Sequence, residues 1–256
     1  MFENKINGMN FISGAWPLDP GKPTVIFIHG SGGSSVMWKA QVKGLSGSFN
    51  TIAVDLPGHG KSEGFGMNSI KAYSDAVADF IKDIEAPSPV ACGLSMGGAI
   101  SLQLLLDNKE MFKTGILINT GAKLRVLPLI LNMVQNDYKS YVDSFALTAA
   151  APTTDYSVMM DIIEANAQCN PFVVYNDFMA CDSFDVMSRL PEITMPVLVM
   201  TAVEDKLSPP KYGTYLADNI KSSVLVSIDG AGHMSPVEKP AEVNGAIADY
   251  IGRIVF

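Results

Sequence analysis

Val90-Ala91-Cys92-Gly93-Leu94-Ser95-Met96-Gly97-Gly98-Ala99-Ile100 is the stretch that decides the fold. An apolar run enters it and a glycine-flanked serine interrupts it. Ala99 to Leu106, apolar nearly all round, leaves it as a buried helix. The spacing Gly93-x-Ser95-x-Gly97 is weak alone, because glycine and serine are common. Between a strand and a helix it gains physical meaning. So abrupt a turn holds the serine in a strained conformation, and neighbouring side chains would clash there. The hydroxyl is lifted out of the sheet. The helix starting at Met96 points free backbone N–H groups and the positive end of its dipole toward it. Ser95 is therefore the candidate nucleophile.

Outward from this point, other apolar runs have the length and continuity of strands buried on both faces. They are Thr24 to Ile28, Thr51 to Val54, Gly115 to Ile118, Val197 to Met200 and Val224 to Ile228. Amphipathic segments lie between most of them. Ser69 to Ile84 sets Ile70, Tyr73, Val77, Phe80 and Ile84 at spacings of three and four, one face of a helix. This alternation predicts an α/β fold, a mostly parallel sheet with helices on both faces. The residues before Pro23 suit one or two antiparallel edge strands.

The rhythm breaks between about Ala122 and Pro191. Helical patterns replace it at Val126 to Val134, Tyr138 to Leu147, Ser157 to Ala167 and Pro171 to Ala180, with Phe172 to Tyr175 as a short β-prone stretch. The expected organisation is a core domain of residues 1–122 and 191–256 carrying a helical insertion, 123–190, over the sheet. Met133, Met159 and Phe178 in that insertion are candidate substrate contacts, since methionine and aromatic surfaces adapt to apolar ligands.

Composition narrows the classes. Of 256 residues, 48% are hydrophobic and 17% charged, as in a globular protein with a real core. A net charge of −8 repels phosphate backbones and anionic lipid heads, which argues against nucleic-acid or membrane-surface partners. Cys92, Cys169 and Cys181 have no C-x-x-C spacing, so neither a zinc site nor any other metal is expected. They read as buried free thiols in a reducing compartment. With no signal-peptide pattern and no apolar run of roughly 18 residues, the expectation is a cytoplasmic protein.

Two further stretches carry chemistry. His29-Gly30-Ser31-Gly32-Gly33 follows a strand and brings backbone N–H groups beside Ser95. Two aimed N–H donors stabilise the oxyanion of acyl transfer. They are assigned to Met96 and Ser31, with Gly30 and Gly32 as alternatives to Ser31. Asp229-Gly230-Ala231-Gly232-His233 follows the last strong strand, so His233 faces the same rim as Ser95 and is the candidate base. His29 braces its loop, and His59, in Asp55-Leu56-Pro57-Gly58-His59-Gly60-Lys61-Ser62, is structural, as is Asp55. The acid that orients the base follows the strand Pro196 to Thr201, where Glu204 and Asp205 both qualify. Asp205 directly precedes the next helix and is preferred.

The order Ser95, Asp205, His233 resembles the α/β-hydrolase family. The stretch HGSGGSSVMW looks like that family's oxyanion loop and DLPGHGKS like its D-x-P-G-x-G-x-S turn. GLSMGG is similar to its nucleophile elbow and GAGHMSPVEKP to its histidine loop. The resemblance runs from about residue 20 to 256, puts an Asp at position 205, and makes 123–190 the cap. It implies a serine hydrolase that needs no cofactor and acts on a small or medium ester with an apolar acyl part. Family members that open epoxides or remove halides carry Asp where Ser95 stands. Esterases, lipases, hydroxynitrile lyases, haloperoxidase-like enzymes and carbon–carbon bond hydrolases of β-diketone-like substrates share the serine, and a non-catalytic receptor could retain it. The cap carries no motif naming a substrate, and oligomeric state is not legible.

Overall fold

The computed structural model describes residues 1–256, with side chains for all but Ala146. Eight strands form one sheet: β1 (Phe2–Ile6), β2 (Met9–Ser13), β3 (Thr24–Ile28), β4 (Asn50–Val54), β5 (Pro89–Leu94), β6 (Gly115–Ile118), β7 (Val197–Ala202) and β8 (Ser223–Ile228). Their order across the sheet is β1-β2-β4-β3-β5-β6-β7-β8. The β1–β2 and β2–β4 pairings are antiparallel and the rest parallel. Two antiparallel strands thus precede Pro23, as the sequence predicts.

The helices are α1 (Lys39–Leu45), α2 (Ile70–Asp83), α3 (Met96–Asp107), α4 (Pro128–Asn136), α5 (Tyr138–Thr148), α6 (Met160–Gln168), α7 (Pro171–Ser183), α8 (Lys211–Asn219), α9 (Ser235–Glu238) and α10 (Pro240–Ile251). The strand residues alternate between two apolar cores. Val25, Phe27, Ala53, Val90, Cys92, Ile116 and Leu198 pack with α1 and α10 on one face. Ile26, Ile28, Ile52, Ala91, Leu117 and Val199 pack with α2 and α3 on the other. A run buried on both faces is the outcome of this period of two. The Ser69 hydroxyl caps α2, accepting from the Ala72 N–H at 3.2 Å. Tyr73, Val77 and Phe80 of α2 lie on the sheet, each burial worth roughly 2 kcal/mol.

Two expectations fail here. β8 is the last strand in the sheet, with Val224 and Leu225 exposed, so it is covered less completely than its apolar sequence suggests. The β-prone Phe172–Tyr175 lies inside α7. Asn170 Oδ1 accepts from the Phe172 N–H at 3.0 Å and Pro171 occupies the first turn, so capping overrides strand propensity.

Residues 123–190 hold α4 to α7 and join β6 to β7. They have a small core of their own: Val134, Tyr141, Val142, Cys169, Val173 and Val174. Among the described residues no helix is long and apolar enough to cross a membrane.

The candidate active site

The sheet order reverses at β3. β4 lies on one side of it and β5 on the other, so the loops leaving β3 and β5 diverge and open a crevice at their carboxyl ends. Ligands on open α/β sheets bind at such a switch point. The β3 loop carries Gly30 to Gly33, and the β5 turn carries Ser95.

Ser95 has φ 57° and ψ −119°, a left-handed φ for a non-glycine residue. The strain is held by its surroundings. Its N–H donates to Ile118 O at 3.0 Å, and its carbonyl accepts from Thr120 Oγ1 at 2.8 Å. A Cβ at Gly93 would lie 1.9 Å from Gly97 O, and one at Gly97 would lie 2.1 Å from Ile28 O. Only glycine lets strand and helix approach this closely. A Cβ at Gly30 would sit 3.3 Å from that of Ser95, so the β3 loop passes directly over the serine. Ser31 Oγ lies 3.5 Å from Met96 Sδ, which brings together the two residues assigned as oxyanion donors.

His233 Nδ1 is 2.8 Å from Asp205 Oδ2, with both side chains buried. A carboxylate only accepts, so Nδ1 carries a hydrogen, and it is the neutral ring in this tautomer that has its lone pair on Nε2. The other Asp205 oxygen accepts from the N–H groups of Leu207 and Ser208, each at 2.8 Å. Glu204 plays a different part: its backbone N–H donates to Ala231 O at 3.0 Å, joining the acid loop to the histidine loop.

Sequence reasoning missed two residues that hold the histidine loop. Asn119 Nδ2 donates to His233 O at 2.9 Å, and Glu238 accepts from the Gly232 N–H at 3.0 Å. Asn119 follows β6 and stands at φ 46°, a left-handed conformation that asparagine tolerates. His29 and Asp55 stabilise loops. Leu56 N–H donates to His29 Nε2 at 3.1 Å, and Asp55 accepts from the Ser35 N–H at 2.7 Å. His59 is buried against Asp177, 2.8 Å away.

Ser95 and His233 line one cavity of about 270 Å³. α4 to α7 contribute Ile130, Phe145, Ile162, Asn166 and Phe178 to its wall. Of the three tentative contacts, Phe178 lines this cavity and Met133 and Met159 do not. Met159 is fully buried in the core beneath the sheet, and Met133 packs on the small core of the helical segment. Met133 lies on α4 and Met159 in the short turn that leads into α6. All three cysteines are buried and free. Burial pushes the Cys169 and Cys181 thiols up to about 12, so neither supplies a thiolate nucleophile. Among the described residues no cluster of His, Cys, Asp and Glu is arranged to hold a metal.

The profile of the alpha/beta hydrolase family matches residues 25–246. The pimeloyl-[acyl-carrier protein] methyl ester esterase of Neisseria meningitidis serogroup C is 28% identical over 237 residues, 87% of this chain and 91% of that protein. The 3-oxoadipate enol-lactonase 2 of Acinetobacter baylyi is 26% identical over 241 residues, covering 88% of this chain and 87% of its own. The crystal structure of the enol-lactonase from Burkholderia xenovorans LB400 superposes with a TM-score of 0.87 at 22% identity, covering 98% of this chain and 100% of that one. From its strained serine to its strand order, the chain belongs to the α/β-hydrolase family.

Proposed function

We propose that this protein is a serine hydrolase that cleaves a carboxylic ester through a Ser95 acyl-enzyme. The observation that carries the reading is a half-buried Ser95 sharing a cavity with a His233 whose tautomer Asp205 fixes. His233 Nε2 takes the Ser95 proton as Oγ attacks the ester carbonyl. The N–H groups of Met96 and Ser31 hold the oxyanion. His233 returns the proton to the leaving alcohol and then activates water, which releases the acid. The steps use groups of this chain and water, and they call for no cofactor. Relatives named for methyl ester and enol-lactone cleavage support an ester-type bond.

Residues 123–190 act as a cap over a core domain of 1–122 and 191–256. The wall they help form is apolar at Leu124, Val126, Ile130, Phe145 and Phe178, which suits a small or medium aliphatic acyl group. Arg125, 3.9 Å from Asp182, and Lys206 also line the cavity, and among the described residues no carboxylate does, in a chain of net charge −8. That local reversal favours an ester bearing a second, anionic group.

A fluorophosphonate probe should add once to the intact protein, at Ser95, and Ser95→Ala should abolish labelling and lower ester turnover by on the order of 10³-fold or more. A folded Ser95→Ala variant with near-wild-type turnover would falsify the nucleophile. Monomethyl esters of dicarboxylic acids should be cleaved faster than neutral methyl esters of equal length. Equal rates would remove the anionic group and leave the esterase reading standing. Labelling of Ser95 without turnover of any ester would favour a receptor.

A further inference from the structure

Asp177 lies within α7 with its carboxylate fully buried, and the chemistry above does not use it. Three donors converge on it from distant parts of the chain. The Gly32 N–H reaches Oδ2 at 2.9 Å, His59 Nε2 reaches Oδ2 at 2.8 Å, and the Tyr73 hydroxyl reaches Oδ1 at 2.6 Å. His59 Nδ1 lies 3.2 Å from the Pro57 carbonyl. Both partners of that ring only accept, so both of its nitrogens carry hydrogen and it pairs with Asp177 as an imidazolium. Burial works against the charge on His59, but the charge of Asp177 and its hydrogen bond outweigh burial and hold the His59 pKa above its ordinary value. An unpaired carboxylate at this depth would be strongly unfavourable. The pair makes a charged acceptor tolerable at this depth.

What the acceptor reaches is the loop over Ser95. Gly32 has φ 65°, and a Cβ there would lie 2.7 Å from Asn166 Nδ2 and 3.1 Å from Val174, so α6 and α7 press on the loop. The Gly32 N–H belongs to the peptide plane directly after the one carrying the Ser31 N–H. Fixing one plane with a charge-assisted hydrogen bond restricts the rotation of the next.

We propose that Asp177 is a positioning residue of the ester hydrolase: by holding the Gly32 N–H it sets the direction of the Ser31 N–H toward the oxyanion, from a helix of the cap. The proposal rests on the reading of Ser31 as an oxyanion donor. It makes the oxyanion loop and α7 one unit, so the hole is complete only when the cap is seated.

The test compares Asp177→Ala, Asp177→Asn and Tyr73→Phe on a short p-nitrophenyl ester, with the affinity of an alkylboronic acid measured beside the kinetics. The boronate adds to Ser95 as a tetrahedral adduct and reports on the hole. Asp177→Ala should lower kcat by roughly 10- to 100-fold, below the loss of a whole donor. KM should stay within about threefold, and boronate affinity should fall by a factor similar to kcat. Asp177→Asn retains an oxygen that accepts from Gly32 and should recover most of both losses. Tyr73→Phe removes a donor to the same carboxylate but leaves the loop alone, so kcat should hold within about twofold. If Asp177→Ala does not fold, the paired Asp177→Leu, His59→Leu variant replaces the ion pair with apolar packing and should show the same losses. A folded Asp177 variant with wild-type kcat and boronate affinity overturns the proposal. So does a Tyr73→Phe variant as damaged as Asp177→Ala, which would indicate general loosening. Wild-type protein that fails to bind the boronate would instead overturn the underlying oxyanion reading.

Discussion

Replacing Asp205 by Asn changes one atom of the carboxylate, and the geometry dictates where that atom goes. Oδ1 is fixed by two backbone donors, Leu207 and Ser208, each at 2.8 Å. The amide keeps its oxygen there and turns its NH2 to His233 Nδ1, which the carboxylate meets at 2.8 Å. The flipped amide would set its NH2 against two N–H groups at a cost of about 2–6 kcal/mol, so it is populated at roughly 3% or less. His233 is thereby driven into the tautomer that carries hydrogen on Nε2, where it cannot accept the Ser95 proton. The imidazolium formed during attack also loses a charged hydrogen-bond partner, worth about 1.5–3 kcal/mol. Together these predict a fall in kcat of about 10³-fold or more, with melting temperature little changed. The assay is p-nitrophenyl butyrate hydrolysis by protein purified beside a Ser95→Ala, Asp205→Asn control that measures contaminating esterase. A folded Asp205→Asn variant within tenfold of wild type would refute the tautomer argument. A larger loss in Glu204→Gln would move the acid to Glu204.

Phe178→Asn should flatten the rise of kcat/KM with acyl length, since each buried CH₂ is worth about 0.8 kcal/mol. Met159→Gln, fully buried away from the cavity, should lower the melting temperature and leave the chain-length profile alone; the reverse pattern would contradict the cavity wall described here. Gly97→Ala drives a methyl group into the Ile28 carbonyl and should prevent recovery of folded protein, whereas a soluble, active variant would show that strand and helix have room to separate. Burial, and next the charge of His59, lowers the His29 pKa from 6.5 to about 4. Unfolded chains then bind the extra proton first, so stability should fall as pH drops from 6.5 toward 4. His59 has the opposite sign: its stabilisation is full below 6.5 and is lost as pH rises through its raised pKa, which leaves the acid window to His29. Urea midpoints at pH 7, 6 and 5 should converge on a flat line in His29→Gln, and an unchanged slope would remove His29 as the cause.

Most of the sheet was legible because a strand buried on both faces needs no partner to announce itself. Val25 and Ile26 are apolar whichever way they point, and the two cores take one each. The same logic overreached at β8, where Val224 and Leu225 are equally apolar but nothing pairs beyond them, because edge position is a property of the sheet order. Ser95 and His233 stood out as candidates through the glycines around them, and Asp205 through its place after the strand that became β7. Met133 and Met159 were misplaced because residue type says what a side chain tolerates and not where the fold places it. Asp177 was invisible: its partners stand 145, 118 and 104 residues away, and a lone Asp in a helix normally faces water.

The helical segment enters and leaves the sheet domain through a narrow stem. Lys123 pairs antiparallel with Asp185, and the Val186 N–H donates to Ala122 O at 2.8 Å. With its two ends pinned side by side, the length of chain between them hardly affects the rest, since each doubling of a loop costs only about 0.6 kcal/mol. Ser95, Asp205 and His233 all lie outside the stem. On the reading proposed above, such a segment is an exchangeable cassette, whose replacement would rewrite substrate range and leave the reacting groups in place. One constraint travels with every exchange. If Asp177 aims the loop as proposed, a transplanted cassette must bring its own acceptor to the Gly32 N–H, or the chimera inherits the serine with an unaimed loop above it.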